Sequence, residues 1–347
     1  MRIDVNGIAL EVQVSGEGPA VLLVHGYPDT HACWRHQVAA LNAAGYRTIA
    51  PDLRGFGASD KPDGLEGYEL AAYAGDLIGI LDRLDVDRAH LVGHDWGSAL
   101  AQRVAITTPG RVTGLACLSV GHAAAMLSAG WEQREKSWYM MLFQFPGVAE
   151  RWLSEHDFAN MREMLAEHPG RDEVIERMRD PRALSAALAI YRRGVPPEWL
   201  LADPADLPPI PVPTMGVWSS GDRFLTEQSM AGTGKHVAST WRYERLDGAT
   251  TGCSWRRPAR STTCCWTSSP PPRPGGMSRG PIGMIGPASQ APITPVGNVA
   301  ALVPLAQVPE PSRDLLLLLI HRPVEGLPHL PQPVPEPRVI GELLRRR

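Results

Sequence analysis

Ala89-His90-Leu91-Val92-Gly93-His94-Asp95-Trp96-Gly97 is the stretch on which the fold turns. Ala89 to Val92 is a short apolar run of the buried-strand kind, and Ser98 to Ile106, just beyond, carries helical spacing. A Gly-x-nucleophile-x-Gly run between a strand and a helix makes a sharp turn. The small residues on each side relieve crowding, and the turn lifts the central side chain above the sheet. Here that side chain is the carboxylate of Asp95, in place of a Ser or Cys. A carboxylate attacks an sp³ carbon by displacement and is left as an alkyl ester. An Asp at this place is also a common helix N-cap, and the run alone leaves the two readings even.

Outward from this run the pattern repeats. Val21 to Val24 is a buried-strand run ending in His25-Gly26, and Tyr46 to Ala50 is another ending in Pro51-Asp52. Ala32 to Ala44 and Leu70 to Leu84 are spaced as helices, and Gly114 to Val120, Thr214 to Ser219 and Trp241 to Leu246 are strand-like. Strands that alternate with helices predict a mostly parallel sheet flanked by helices, because parallel neighbours need crossover connections. The alternation stops over residues 121–205, which are helical in pattern and rich in aromatic and Met side chains, as in Trp138-Tyr139-Met140-Met141-Leu142-Phe143. We read this segment as a helical cap inserted after a strand end, where open α/β sheets bind ligands. An independent helical domain with ordinary core aromatics is the other reading. The expected division is residues 1–120 and 206–250 for the core, 121–205 for the cap, and 251–347 for a tail of different composition. Of the 33 prolines, 18 lie in the last 98 residues, and periodicity largely vanishes there, as in disordered or unnatural sequence.

Bulk properties narrow the function. A chain of 347 residues buries a sizeable core. A net charge of −3 offers no basic face for nucleic acid or an anionic membrane, so a small molecule is the expected partner. The start, Met1-Arg2-Ile3-Asp4-Val5-Asn6, lacks the apolar stretch of a signal peptide. The five cysteines suggest neither a disulfide framework nor a zinc site, and a cytoplasmic location is expected. The longest aliphatic run, Leu315 to Ile320, falls far short of the roughly 20 residues of a membrane span. Nothing in the sequence fixes an oligomeric state.

Further pieces stand in a definite order: His25-Gly26-Tyr27-Pro28, Trp34-Arg35-His36-Gln37, Asp52-Leu53-Arg54-Gly55-Phe56-Gly57 and the Asp95 run. Tyr139 follows, ahead of Phe143-Gln144-Phe145-Pro146-Gly147-Val148-Ala149-Glu150, and then Ile190-Tyr191-Arg192. Each is weak alone; in this order and spacing the chain closely resembles the epoxide hydrolase branch of the α/β-hydrolase family, over residues 1 to about 249. The resemblance implies an α/β-hydrolase fold and a two-step hydrolysis of a small apolar epoxide by water, with no metal or cofactor. Asp95 would open the epoxide to a hydroxyalkyl ester, which an activated water then cleaves. Tyr139 and Tyr191 would hydrogen-bond the epoxide oxygen, and the backbone N–H groups of Tyr27 and Trp96 would form the oxyanion hole. Asp222, in Trp218-Ser219-Ser220-Gly221-Asp222, would orient the catalytic His. Plainer uses exist for each: packing for the tyrosines, a turn for Gly221-Asp222. Within the fold the runner-up is haloalkane dehalogenase, which shares an Asp nucleophile followed by Trp. That family commonly keeps Asn after its His-Gly, where this chain has Tyr27. An inactive ligand-binding relative is the third reading.

The family keeps its base as a His just after the last core strand. Here Trp241 to Leu246 leads to Asp247-Gly248-Ala249-Thr250-Thr251-Gly252-Cys253-Ser254-Trp255, which holds no His. With GC-rich codons, Thr251 to Ser269 can be back-translated so that a frame starting on the last base of the Thr250 codon opens on His-Trp-Met-Gln-Leu-Glu. That frame continues Ala-Pro-Gly-Glu-Val-Asn-Asp-Leu-Leu-Leu-Asp-Phe-Leu-Pro, an amphipathic helix pattern. We therefore read a shift of reading frame at about Thr250, with Thr251 onward as out-of-frame translation. His321 and His329 lie in the Pro-rich tail, and His25 and His94 read as scaffold residues, so none of these replaces the base.

Overall fold

The structure, a computed structural model, describes residues 1–250 of the chain. It opens with β1 (Arg2–Val5) and β2 (Ile8–Ser15), an antiparallel hairpin turned at Asn6-Gly7, where both residues adopt positive φ. Asn-Gly suits such a two-residue turn because these residues tolerate the left-handed region. The hairpin is absent from the strands expected above, although alternating burial of Ile3, Val5, Leu10 and Val12 follows its sequence pattern.

Then come β3 (Ala20–Val24), α1 (Arg35–Ala43), β4 (Arg47–Pro51), α2 (Leu70–Arg83), β5 (Ala89–His94), α3 (Trp96–Thr107) and β6 (Val112–Leu118). Six helices follow: α4 (Ala123–Leu127), α5 (Trp131–Lys136), α6 (Trp138–Leu142), α7 (Val148–Met164), α8 (Arg171–Met178) and α9 (Pro181–Gly194). The chain then re-enters the sheet as β7 (Thr214–Gly221), passes through α10 (Glu227–Gly232) and reaches β8 (Trp241–Thr250). The stretch Ala32 to Ala44, expected as one helix, begins instead with a 3₁₀ turn, His31–Trp34, ahead of α1.

The eight strands are ordered β1-β2-β4-β3-β5-β6-β7-β8, antiparallel from β1 to β4 and parallel from β4 to β8. The expected α/β architecture, a mostly parallel sheet flanked by helices, is what the chain adopts. Its cause is visible in β3. Val21 and Leu23 pack with Trp34, Val38 and Leu41 on one face. Leu22 and Val24 pack with Leu77, Leu91 and Leu100 on the other. An unbroken apolar run is stable as a strand when both faces are covered in this way, and each such side chain stabilises the fold by roughly 1.5–3 kcal/mol. In α9 the buried Leu184, Ala187, Leu188 and Tyr191 fall at i, i+3, i+4 and i+7, so one stripe faces the interior. Asp180 caps this helix by accepting from the Arg182 N–H, and Pro181 fits its first turn.

Residues 251–347, the tail read above as out of frame, lie outside the described residues. Among the described residues no helix is long and apolar enough to cross a membrane, and Cys33 and Cys117 are buried free thiols.

Arg54, in the loop after β4, forms a bidentate pair with Asp76 of α2, Nε to Oδ2 at 2.6 Å and Nη2 to Oδ1 at 2.7 Å. The two side chains are 5% and 2% exposed. Removing one partner of a buried pair leaves the other charge uncompensated. The Asp76→Ala variant is expected to lose about 3–5 kcal/mol of stability, measured by urea unfolding.

Candidate active site

Two parallel strands set the site. Val24 of β3 stands in register with Gly93 of β5, so the turn after β3 and the elbow after β5 leave the sheet side by side. At the elbow Asp95 takes φ 54° and ψ −126°, a conformation that L residues rarely adopt. The close approach explains the glycines. A Cβ at Gly93 would lie 2.2 Å from the Gly97 carbonyl oxygen, and one at Gly97 would lie 2.0 Å from that of Val24.

Asp95 occupies the N-cap position of α3, yet its side chain makes no cap hydrogen bond. Its Oδ1 instead accepts the Tyr27 backbone N–H at 2.8 Å, and the Trp96 N–H is a second backbone donor to the carboxylate. Thus the two amides singled out as an oxyanion hole both converge on Asp95 itself. Burial pushes the Asp95 carboxyl up to about 7, against the opposing pull of the Trp96 and Tyr27 amides.

Tyr139 and Tyr191, from α6 and α9, line the same cavity as Asp95 and Tyr27. The Tyr139 hydroxyl is hydrogen-bonded to Tyr191. Tyr191 in turn receives the side-chain hydrogen bond of Trp96, with the two rings edge to face at 5.1 Å. Burial raises all three tyrosine hydroxyls well above the ordinary tyrosine range, so they remain protonated donors. Phe143 and Phe224 pack edge-on against these rings, at 5.0 Å from Tyr191 and 5.3 Å from Tyr139 respectively. Phe224, Met161, Met164 and Leu165 make the remaining wall mostly apolar.

Asp222 follows β7. Its Oδ1 accepts the Phe224 and Leu225 N–H groups, both at 2.9 Å. Burial raises the carboxyl to about 6, against those two amides and the Ser119 hydroxyl. Its charge acts on both Asp95 and Tyr139, and Phe224 and Leu225, whose amides it accepts, line the cavity. Oδ2 is buried and has no hydrogen-bond partner among the described residues, an unusual state for a buried carboxylate oxygen.

His25 is fastened at both ring nitrogens, Nδ1 to the Gly26 carbonyl at 2.9 Å and Nε2 to the Leu53 N–H at 3.0 Å. A second fastened histidine escapes the sequence reading. His168, between α7 and α8, lines the cavity. Its Nδ1 accepts the Gly170 N–H at 3.0 Å and its Nε2 lies 3.1 Å from Asp29 Oδ1. With both nitrogens engaged, neither histidine is placed to activate water. Asp29 stands next to His25-Gly26-Tyr27-Pro28, but no sequence signal marks His168.

A profile of the alpha/beta hydrolase fold family matches residues 19–235. Epoxide hydrolase 2 of Siraitia grosvenorii is 38% identical over 210 residues, which are 59% of this chain and 65% of that protein. Epoxide hydrolase A of Mycobacterium tuberculosis is 35% identical over 205 residues, 53% of this chain and 64% of that protein. The matched part thus spans just under two thirds of the length of these curated relatives. The crystal structure of epoxide hydrolase A from Mycobacterium thermoresistibile superposes with a TM-score of 0.62 at 26% identity, covering 73% of this chain and 92% of that one. With the elbow, the strand order and these matches together, the chain belongs to the α/β-hydrolase fold family, in its epoxide hydrolase branch.

Proposed function

We propose that this chain opens epoxides through an ester on Asp95, with residues 1–120 and 206–250 as its core and 121–205 as a cap carrying the two tyrosines. The observation that carries the reading is the convergence on one cavity of a half-buried carboxylate held by two amides and a pair of protonated tyrosines.

In the first step Oδ1 stays on the Tyr27 amide while Oδ2 attacks an epoxide carbon. The C–O bond breaks, its electron pair moves to the epoxide oxygen, and Tyr139 and Tyr191 donate to the alkoxide. In the second step water gives up a proton and adds to the ester carbonyl, and the Tyr27 and Trp96 N–H groups hold the developing oxyanion. Its collapse breaks the Cγ–O bond to the alkyl group, restores the Asp95 carboxylate and releases the diol, whose alkoxide takes up the proton. The water needs a base, and Asp222, through Oδ2, would orient an imidazole there. Neither His25 nor His168 serves as that base, since each is tied at both ring nitrogens.

The base is then sought after β8. We propose that the gene's reading frame shifts at about Thr250 and that the unshifted frame supplies the His. The chain as written would form the ester and hydrolyse it slowly. The dehalogenase reading is the weaker one, because the Trp96 side chain that would grip a halide is hydrogen-bonded to Tyr191.

Mixed with a phenyl-substituted epoxide, the chain is expected to gain the full mass of the epoxide on Asp95, read by intact mass and peptide mapping, with little diol released. Many diol turnovers per chain would overturn the stalled form. An unbroken frame in the nucleotide sequence across Thr250 would overturn the shift. Because the ionised carboxylate is the nucleophile and its folded-state value is raised to about 7, ester formation is expected to rise with pH and level off above about 7. A rate already maximal at pH 5 would contradict this. Tyr139→Phe and Tyr191→Phe are each expected to slow ester formation on the order of 100-fold, measured as single-turnover adduct rates.

A further inference from the structure

The turn that presents the Tyr27 amide is short and fastened on both sides. Asp29 N–H donates to the Gly26 carbonyl at 2.9 Å, which closes the turn around Tyr27 and Pro28. On the sheet side, His25 ties Gly26 to Leu53. On the other side Asp29 Oδ1 meets His168 Nε2 at 3.1 Å, a contact between residues 139 positions apart. Both side chains are buried. The ring of His168 is fixed by the Gly170 N–H on Nδ1, which leaves Nε2 as the donor to Asp29.

The turn also lies hard against the nucleophile. A Cβ on Gly26 would stand 2.3 Å from Asp95 Oδ1, so small movements of the turn alter the 2.8 Å bond from Tyr27 to that oxygen. We infer that His168 is a positioning residue, holding Asp29 so that the seating of the helical insertion fixes the amide that binds Asp95. The inference rests on the reading of Asp95 as the nucleophile. It goes beyond that reading by coupling a residue of the insertion to the protonation of the carboxylate.

The groups acting on Asp95 set the direction. The Tyr27 and Trp96 amides favour its charged form, while burial and the charges of Asp29 and Asp222 oppose it. Tyr139 and Tyr191 face it from the insertion, and His94, Glu167 and Arg223 line the same cavity. Loosening the Tyr27 amide removes a bond to the charged form, and the midpoint of Asp95 then moves up.

The test titrates Asp95 directly in the full chain, by the carboxyl carbon signal of ¹³C-aspartate-labelled protein, assigned with Asp95→Asn. His168→Phe and His168→Ala, which lack a donor, are expected to raise the midpoint by about half a pH unit or more and to slow ester formation about tenfold. His168→Gln, whose amide donates to Asp29, is expected to restore both. Two donor-free variants are used so that a folding failure of one leaves the other. An unmoved or lowered midpoint in them, with only the melting temperature reduced, marks a packing role and overturns the inference. So does an equal shift in His168→Gln. The titration needs no epoxide, so a wild-type chain that forms no ester would refute the nucleophile reading while leaving this coupling measured.

Discussion

The carboxylate of Asp95 is half-buried at the wall of the cavity, and a charge withdrawn from bulk water is tolerable only where donors stand close to it. Backbone amides supply those donors here without ordering any side chain. For them to reach, the turn after β3 must lie against the elbow after β5, a closeness that the register of Val24 with Gly93 provides. It leaves no room for side chains at Gly26, Gly93 and Gly97. That register and the three glycines are thus what let two backbone amides reach one carboxylate.

The same constraint explains what is legible in the sequence. Val21 to Val24 and Ala89 to Val92 can be read as strands because burial on both faces demands an unbroken apolar run. Asp95, Tyr139, Tyr191 and Asp222 can be named because each stands in a local motif, and the first three line one cavity. The β1–β2 hairpin escapes that reading although Asn6-Gly7 marks its turn, since its alternation is short and half exposed. The Asp29–His168 contact is not legible at all. Nothing local marks a histidine in a loop whose partner is 139 positions away; only tertiary packing makes that pair.

Burial acts on the two acids in the same direction and with different consequences. Asp95 has amides to favour its charge and a cavity in front of it. Asp222 has two amides on Oδ1 and no hydrogen-bond partner on Oδ2 among the described residues. Both carboxylates are held through Oδ1; what separates them is that Asp95 lines the cavity, where a carbon can reach it, and Asp222 is not among the residues that line it.

On the proposed reading, chain order then separates the two halves of the reaction. Every group assigned to ester formation lies before residue 192, on the ends of β3 and β5 and on the insertion, and Asp222 follows β7. The base belongs after β8, beyond the last parallel strand. The proposed slip at about Thr250 would therefore fall after all eight strands of the described residues. On that proposal the residues that make the ester would keep their scaffold, and the slip would remove the chemistry that clears it.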